Sequence, residues 1–194
     1  SNPVRRELHK KFIRQCLNNF KDNNGVIQLI GEEFTGPLHF VKFWLDVIRD
    51  WEKETGKHPL IGLSVTKDVQ DSILKMPAYA ALIDIIDIRY WYYQADGSAY
   101  APQGGLSLAP RQHARLLKPR KTSFEQVYRA VKEYRDKYPA KAVIYSGDSY
   151  PEFGMAAFMA GGSMAVFPGT TNKEILKAAT DMKPVTADNK HEYK

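Results

Sequence analysis

An α/β fold is predicted for this 194-residue chain by three features of its pattern. Short apolar runs of strand length alternate with amphipathic helical stretches. The alternation is repeated five times after an opening helix. The links between elements are mostly short, and none carries a hairpin signal. Such alternation implies parallel strands joined by right-handed crossovers. A doubly wound sheet and a (β/α) barrel both satisfy it.

The elements follow in order. "VRRELHKKFIRQCLNNF" places Leu8, Phe12, Ile13, Cys16, Leu17 and Phe20 at helical spacing. The turn "KDNNG" leads into a strand from Val26 to Ile30, and a second helix runs from about Pro37 to a C-terminal cap at Gly56. A second strand, 59–65, has few polar groups, as a strand covered on both faces should. A weaker helix over Asp68 to Tyr79 precedes a third strand, Leu82 to Tyr93, which ends in an aromatic run. The long polar stretch 94–121 reads as a functional or mobile loop. A helix capped by Thr122 or Ser123 follows, with Phe124, Val127, Val131 and Tyr134 as its apolar stripe. Strand 141–148, a helix over 150–161, strand 164–169 and a helix opened by Thr171 or Asn172 complete the pattern. Residues 1–183 read as one α/β domain and 184–194 as a polar tail. The opening Ser1-Asn2 reads as the scar of a cleaved tag, so that a native N-terminus is expected to be missing.

Composition narrows the function. With 43% apolar and 12% aromatic residues the chain is globular, and no apolar run reaches the ~20 residues of a membrane span. The net charge of +6 is spread over helix faces mixed with Glu and Asp. The one purely basic cluster, Lys118, Arg120 and Lys121, flanks Pro119 in a loop, which argues against nucleic acid as the partner. Cys16 is the only cysteine, so no internal disulfide forms. Neither "GxGxxG" nor "GxxxxGK" occurs, which lowers the nucleotide-binding option. No metal ligand set and no cofactor is expected.

Polar residues of reactive type gather where strands end. Glu32 and Glu33 follow the first strand, Arg89 to Tyr93 close the third, and Asp148 closes the fourth. In a barrel these ends share one face, the face that collects catalytic residues. Two carboxylates across a pocket are the equipment for cleaving a glycosidic bond: one protonates the leaving oxygen, while the other attacks the anomeric carbon or activates water. Tyr90, Trp91, Tyr92 and Tyr93 could stack on sugar rings. Taken singly, each carboxylate also fits a helix N-cap, and an aromatic run fits core packing.

"IQLIGEEFTGP", "KAVIYSGDSYPE" and "MAAFMAGGSMAVFPG", in this order and with two further strand–helix units between the first two, resemble the strand-four, strand-seven and strand-eight regions of (β/α)8-barrel glycoside hydrolases. The similarity is greatest to the apiosidase-like group of gut Bacteroidetes. The resemblance implies that the five strands here are four to eight of a barrel, with the first three units absent. It further implies that Glu33 is the acid/base, flanked by Gly31 and Phe34, and that Glu32 stands where the family has Asn. Asp148 stands at the nucleophile's position, where Glu is common. A carboxylate at position 32 would raise one pKa of the pair, and the shorter Asp148 would leave room for a water.

The expected function is therefore that of the C-terminal part of a glycoside hydrolase. Glu33, Asp148 and Glu32 are the catalytic candidates, with Arg89, Tyr90, Trp91, Tyr92 and His113 lining a carbohydrate site. The alternative is a non-catalytic carbohydrate-binding or scaffold domain on the same barrel. A third option, an enzyme for an anionic substrate, rests on net charge alone. The missing N-terminal half of the barrel is the expected partner, or a second copy of the fragment. A periplasmic or extracellular location is implied by the resemblance only.

Overall fold

The computed structural model describes residues 2–31, 35–106, 122–147, 150–164 and 172–181. Among them the elements are α1 (Pro3–Phe20), β1 (Ile27–Ile30), α2 (Leu38–Thr55), β2 (Leu60–Leu63), α3 (Lys67–Leu74), α4 (Pro77–Ala80), β3 (Ile85–Ile88), β4 (Tyr92–Tyr93), β5 (Ala99–Tyr100), α5 (Phe124–Lys137), β6 (Ala142–Tyr145), α6 (Tyr150–Met159) and α7 (Lys173–Asp181). β1, β2, β3 and β6 form a parallel sheet in that spatial order. Each strand thus lies beside its predecessor in sequence, with no reversal of order. Met164 makes an isolated parallel bridge to Ile144 on the side of β6 away from β3. It is the one described residue of the strand expected over 164–169.

Helix ends follow local chemistry. Asn2 Oδ1 accepts from Val4 N at 3.0 Å and opens α1, with Pro3 in its first turn. Gly56 closes α2 as expected, its N–H donating to Glu52 O at 2.8 Å. Of the two candidate caps of α5, Ser123 does the capping, accepting from Gln126 N. Thr122 Oγ1 instead donates to Tyr93 O at 2.7 Å. Asn172 Oδ1 accepts from Glu174 N at 2.9 Å ahead of α7. The helix expected over 68–79 divides into α3 and α4 because Pro77, lacking an N–H, cannot continue the first helix and starts the second.

One expectation is corrected outright. The third strand ends at Ile88, and Tyr92–Tyr93 pairs antiparallel with Ala99–Tyr100 as a hairpin. Its turn is Asp96-Gly97, closed by Gln94 N to Ser98 O at 2.7 Å and by Ser98 N to Asp96 Oδ1 at 2.9 Å. An Asp-Gly pair between aromatic residues is a hairpin signal, and part of the long polar stretch is therefore ordered.

The core lies on one face of the sheet. Ile30, Ile61, Leu63, Ile86, Ile88, Val143 and Tyr145 alternate onto that face and pack with Ile13 and Leu17 of α1, Leu45 and Trp51 of α2, Val69 and Ile73 of α3, Val131 and Tyr134 of α5 and Ala156 and Ala157 of α6. The helices run side by side in sequence order, α1 against α2, α2 against α3 and α5 against α6. On the opposite face Ile27 and Leu60, at the N-terminal end of the strands, are 50% and 37% exposed. β1 has no second strand beside it among the described residues. Val4, Leu8 and Phe12, four residues apart on α1, are also exposed.

The N-terminal end of the sheet is tied by charge. His58 Nδ1 lies 2.5 Å from Glu52 Oε1 and its Nε2 3.0 Å from Asp84 Oδ1, while Asp84 Oδ2 accepts from Ile61 N at 2.8 Å. The bond to Asp84 raises the His58 pKa most; partial burial opposes it and Glu52 adds to it. The protonated ring is thus favoured in the fold. Its stabilisation is complete below the ordinary imidazole value near 6.5 and is lost as pH rises through the raised folded value. His58→Gln is expected to lower the melting temperature at about pH 5.5 and to match wild type at about pH 9. The ring is half exposed, so water screens the pairs and the loss stays below about 1 kcal/mol. An equal loss at both pH values in thermal melts would refute this.

Candidate functional site at the C-terminal end of the sheet

The face of the sheet away from the helices changes character along the strands. Near the N-terminal end it is apolar: Leu29 packs into the space left by Gly62, where a Cβ would come within 2.7 Å of Leu29 Cδ1. One step on, Gly31 follows β1, Ser64 follows β2 and Asp87 sits in β3 opposite Ile144 of β6, with Ser146 two residues beyond Ile144. The sheet here is polar, at the edge where a parallel α/β sheet carries its ligands.

Asp87 is the centre of this level. It is 1% exposed, and both its oxygens are filled by hydroxyls from neighbouring strands. Ser64 Oγ donates to Oδ2 at 2.7 Å and Ser146 Oγ to Oδ1 at 2.6 Å. Burial pushes the Asp87 carboxyl above the usual carboxylate range, against the two hydroxyls and the Arg89 charge, which favour ionisation. Asp87 is not among the residues expected from sequence. In sequence it is only a carboxylate inside the apolar stretch "LIDIIDIRYW", with nothing there to name its partners.

The connection leaving β5 returns to this end. Gly105 N donates to Thr35 O at 2.6 Å, and Thr35 Oγ1 donates to Leu106 O at 2.8 Å. Gly104 N meets the Asp68 carboxylate at 3.1 Å, at the first turn of α3. No side chain fits at Gly104, where a Cβ would lie 2.4 Å from Val69 Cγ2. The segment after β5 is therefore fastened to the chain two residues beyond Glu33.

The expected site residues fall into two groups. Glu32, Glu33, His113 and Asp148 lie outside the described residues. Gly31 and Gly147, which precede the carboxylates in sequence, stand at the C-terminal end of β1 and β6. Arg89 is half-buried one position above Asp87 on the same face, its guanidinium 5.8 Å from the Tyr90 ring centre. Tyr90, Trp91 and Tyr92 are buried. Tyr92 stacks on Tyr100 across the hairpin, ring centres 5.0 Å apart. Trp91 meets Tyr93 edge-on at 5.7 Å and Tyr134 at 5.6 Å, with Lys67 Nζ 4.4 Å from its ring centre. In the described structure these rings are packing elements, and none offers an open face of the kind a sugar platform needs.

The aromatic run serves a second polar cluster, between α3 and α5. Lys67 Nζ donates to Tyr134 OH at 2.9 Å and pairs with Asp71 at 3.2 Å and Glu133 at 3.3 Å. Tyr134 OH donates to Asp71, and Tyr93 OH to Glu133 Oε2 at 2.6 Å. Burial and the Glu133 bond push the Tyr93 hydroxyl up to about 12. Burial alone would raise Glu133, but bonds from Lys137 and Tyr93 and the Lys67 charge outweigh it and hold its carboxyl below the usual range. Every member is ion-paired or hydrogen-bonded, and the network is partly buried, with Lys67 16%, Glu133 20% and Asp71 34% exposed. Among the described residues no three His, Cys, Asp or Glu side chains gather as a metal site, and no helix is long and apolar enough to cross a membrane.

The model of a domain of unknown function, DUF6298, matches residues 1–182. No curated protein and no solved structure matches the chain.

Proposed function

The chain therefore belongs to the DUF6298 family, and we propose that it is the C-terminal part of a (β/α)-barrel glycoside hydrolase whose activity belongs to the full-length protein, with Glu33 as general acid/base and Asp148 as nucleophile or base. The observation that carries this reading is the order of the sheet. β1, β2, β3 and β6 are parallel and lie side by side in sequence order, and their core residues all face one helical layer. A barrel wall needs that arrangement. A doubly wound sheet reverses its strand order and places helices on both faces. Barrel enzymes assemble their chemistry where strands end, and Glu32-Glu33 and Asp148 follow in sequence from two such ends.

Completing a barrel takes further strand–helix units beside β1. The edge of β1, which has no second strand beside it among the described residues, the exposed apolar Ile27 and Leu60, and the exposed Val4, Leu8 and Phe12 of α1 suit such neighbours.

The test is hydrolysis of a panel of plant and host glycans by the full-length protein, with Glu33→Gln, Asp148→Asn and Glu32→Gln as variants. Sugar release that falls about 1,000-fold or more in the first two, with circular dichroism unchanged, is the expected result. Glu32→Gln then tells whether its neighbour acts alone. Binding of a glycan without cleavage, unaffected by Glu33→Gln, would replace this reading by that of a carbohydrate-binding domain. The anomer first released distinguishes retention, with carboxylates roughly 5–5.5 Å apart, from inversion at about 6.5–9.5 Å.

A further inference from the structure

The N-terminal end of the sheet, away from the polar level around Asp87, carries a cavity. It measures about 130 Å³ and opens between the last turn of α1, the turn at 21–26, β1, the end of α2 and the link into β2. Its floor is apolar: Leu17 and Trp51 are 3% and 1% exposed, and Val26 and Leu60 line the sides. A cavity of about 150 Å³ takes one benzene ring, so the space is ring-sized.

The rim is polar and one-sided in charge. Lys21, Lys57, Asn23, Asn24 and Gln28 line it, and no Asp or Glu is among the lining residues. The carboxylates of this end are already engaged, Asp22 with Lys57, and Glu52 and Asp84 with the two ring nitrogens of His58. Lys21 has no ion pair among the described residues. Asn23 Oδ1 accepts from Gly25 N at 2.9 Å, which leaves its NH2 group to donate. The side-chain amides of Asn24 and Gln28 bond no described residue. The rim therefore offers donors and positive charge above an apolar floor, the complement of a small ring that bears an anionic acceptor.

We propose that this cavity is a binding site for a ring-sized apolar carboxylate, with the ring against Leu17, Trp51, Val26 and Leu60 and the carboxylate at Lys21 and the Asn24 and Gln28 amides. Both parts of the ligand are needed. A neutral ring gains nothing from Lys21, and a bare anion at exposed lysines is held weakly because water and salt screen it. Residues of α1, α2, β1 and β2 surround the ligand, so binding ties the first two helices to the first two strands. The site does not depend on the glycosidase reading.

The experiment titrates the 15N-labelled chain with sodium benzoate and, in parallel, with benzyl alcohol and benzylamine, which keep the ring and change the charge. The readouts are the Trp51 indole N–H and the Asn24 and Gln28 side-chain amides. Saturable shifts at these three groups, with a benzoate dissociation constant of about 1–10 mM, are expected. Benzyl alcohol should bind at least about threefold more weakly, and benzylamine more weakly still. Lys21→Met, at an exposed turn position, should fold as wild type does and bind benzoate and benzyl alcohol alike. Shifts that do not saturate by about 20 mM benzoate, equal binding of the three probes by wild type, or unchanged benzoate affinity in Lys21→Met would each overturn the proposal.

Discussion

Replacing Gly31 by alanine is expected to cost the fold at least about 3 kcal/mol, and to lower the melting temperature by roughly 6–12 °C in a domain of this size. Two effects add. The φ of Gly31 is +91°, a conformation that side chains other than glycine adopt only with strain of about 1–3 kcal/mol. A Cβ there would also lie 2.3 Å from Ser64 O and 2.6 Å from Val65 Cγ1. The first of these is backbone, so the strand ends must part to make room. Gly56 is the internal control. Its φ is +67°, but a Cβ there meets nothing within 4 Å, so Gly56→Ala should cost only about 1 kcal/mol. Chemical denaturation of the two variants measures the contact separately from the backbone strain; equal losses would show that the approach of β1 to Ser64 is not tight. Because Ser64 donates to Asp87, the same variant should also loosen the polar level of the sheet.

What pattern alone could read is the local part of this structure. Apolar spacing located the helices, and the caps at Gly56, Ser123 and Asn172 depend on side-chain and backbone chemistry within three or four residues. The hairpin was overlooked because its strands are only two residues each and lie inside a polar stretch, where the Asp96-Gly97 turn was the whole signal. Asp87 was overlooked for a different reason. Its partners are 23 and 59 residues away in sequence, and only the parallel register brings Ser64 and Ser146 to it. A carboxylate within "LIDIIDIRYW" carries no mark of whether it faces water or two hydroxyls. Asp84, three residues earlier, takes the opposite role, bonding Ile61 N and His58 at the other end of the sheet.

The two ends of the sheet therefore differ in kind. At the N-terminal end, charge closes on backbone and on a half-exposed histidine, which is stabilising work. At the C-terminal end a buried acid orders two hydroxyls, and the connection after β5 is bonded to Thr35, close in sequence to the glutamate pair. A structural role would place the better-satisfied buried groups at either end with equal ease. Their concentration beside the strand ends that lead in sequence to Glu32-Glu33 and Asp148 supports the glycosidase reading proposed above.

Trp91 offers the second large effect and bears on how the aromatic run is used. Trp91→Ala is expected to lose about 3–5 kcal/mol, since the ring is 1% exposed and packed by Tyr93 and Tyr134, with Lys67 over its face. Trp91→Phe should retain the fold with a loss of about 1–2 kcal/mol. The indole Nε1 is buried with no hydrogen-bond partner among the described residues, so replacing it forfeits no bond. A packing residue and a sugar platform then differ in what else changes. If Trp91 only packs, Trp91→Phe binds and cleaves any glycan substrate as wild type does, because Lys67 and Tyr134 already occupy the ring's surroundings. If the ring instead stacks on a sugar, the smaller Phe face would weaken glycan affinity severalfold with stability little altered. Isothermal titration of the substrate found by the hydrolysis screen, run on Trp91→Phe beside a melting curve, separates the two. The burial of the ring predicts unchanged affinity and a lowered melting temperature.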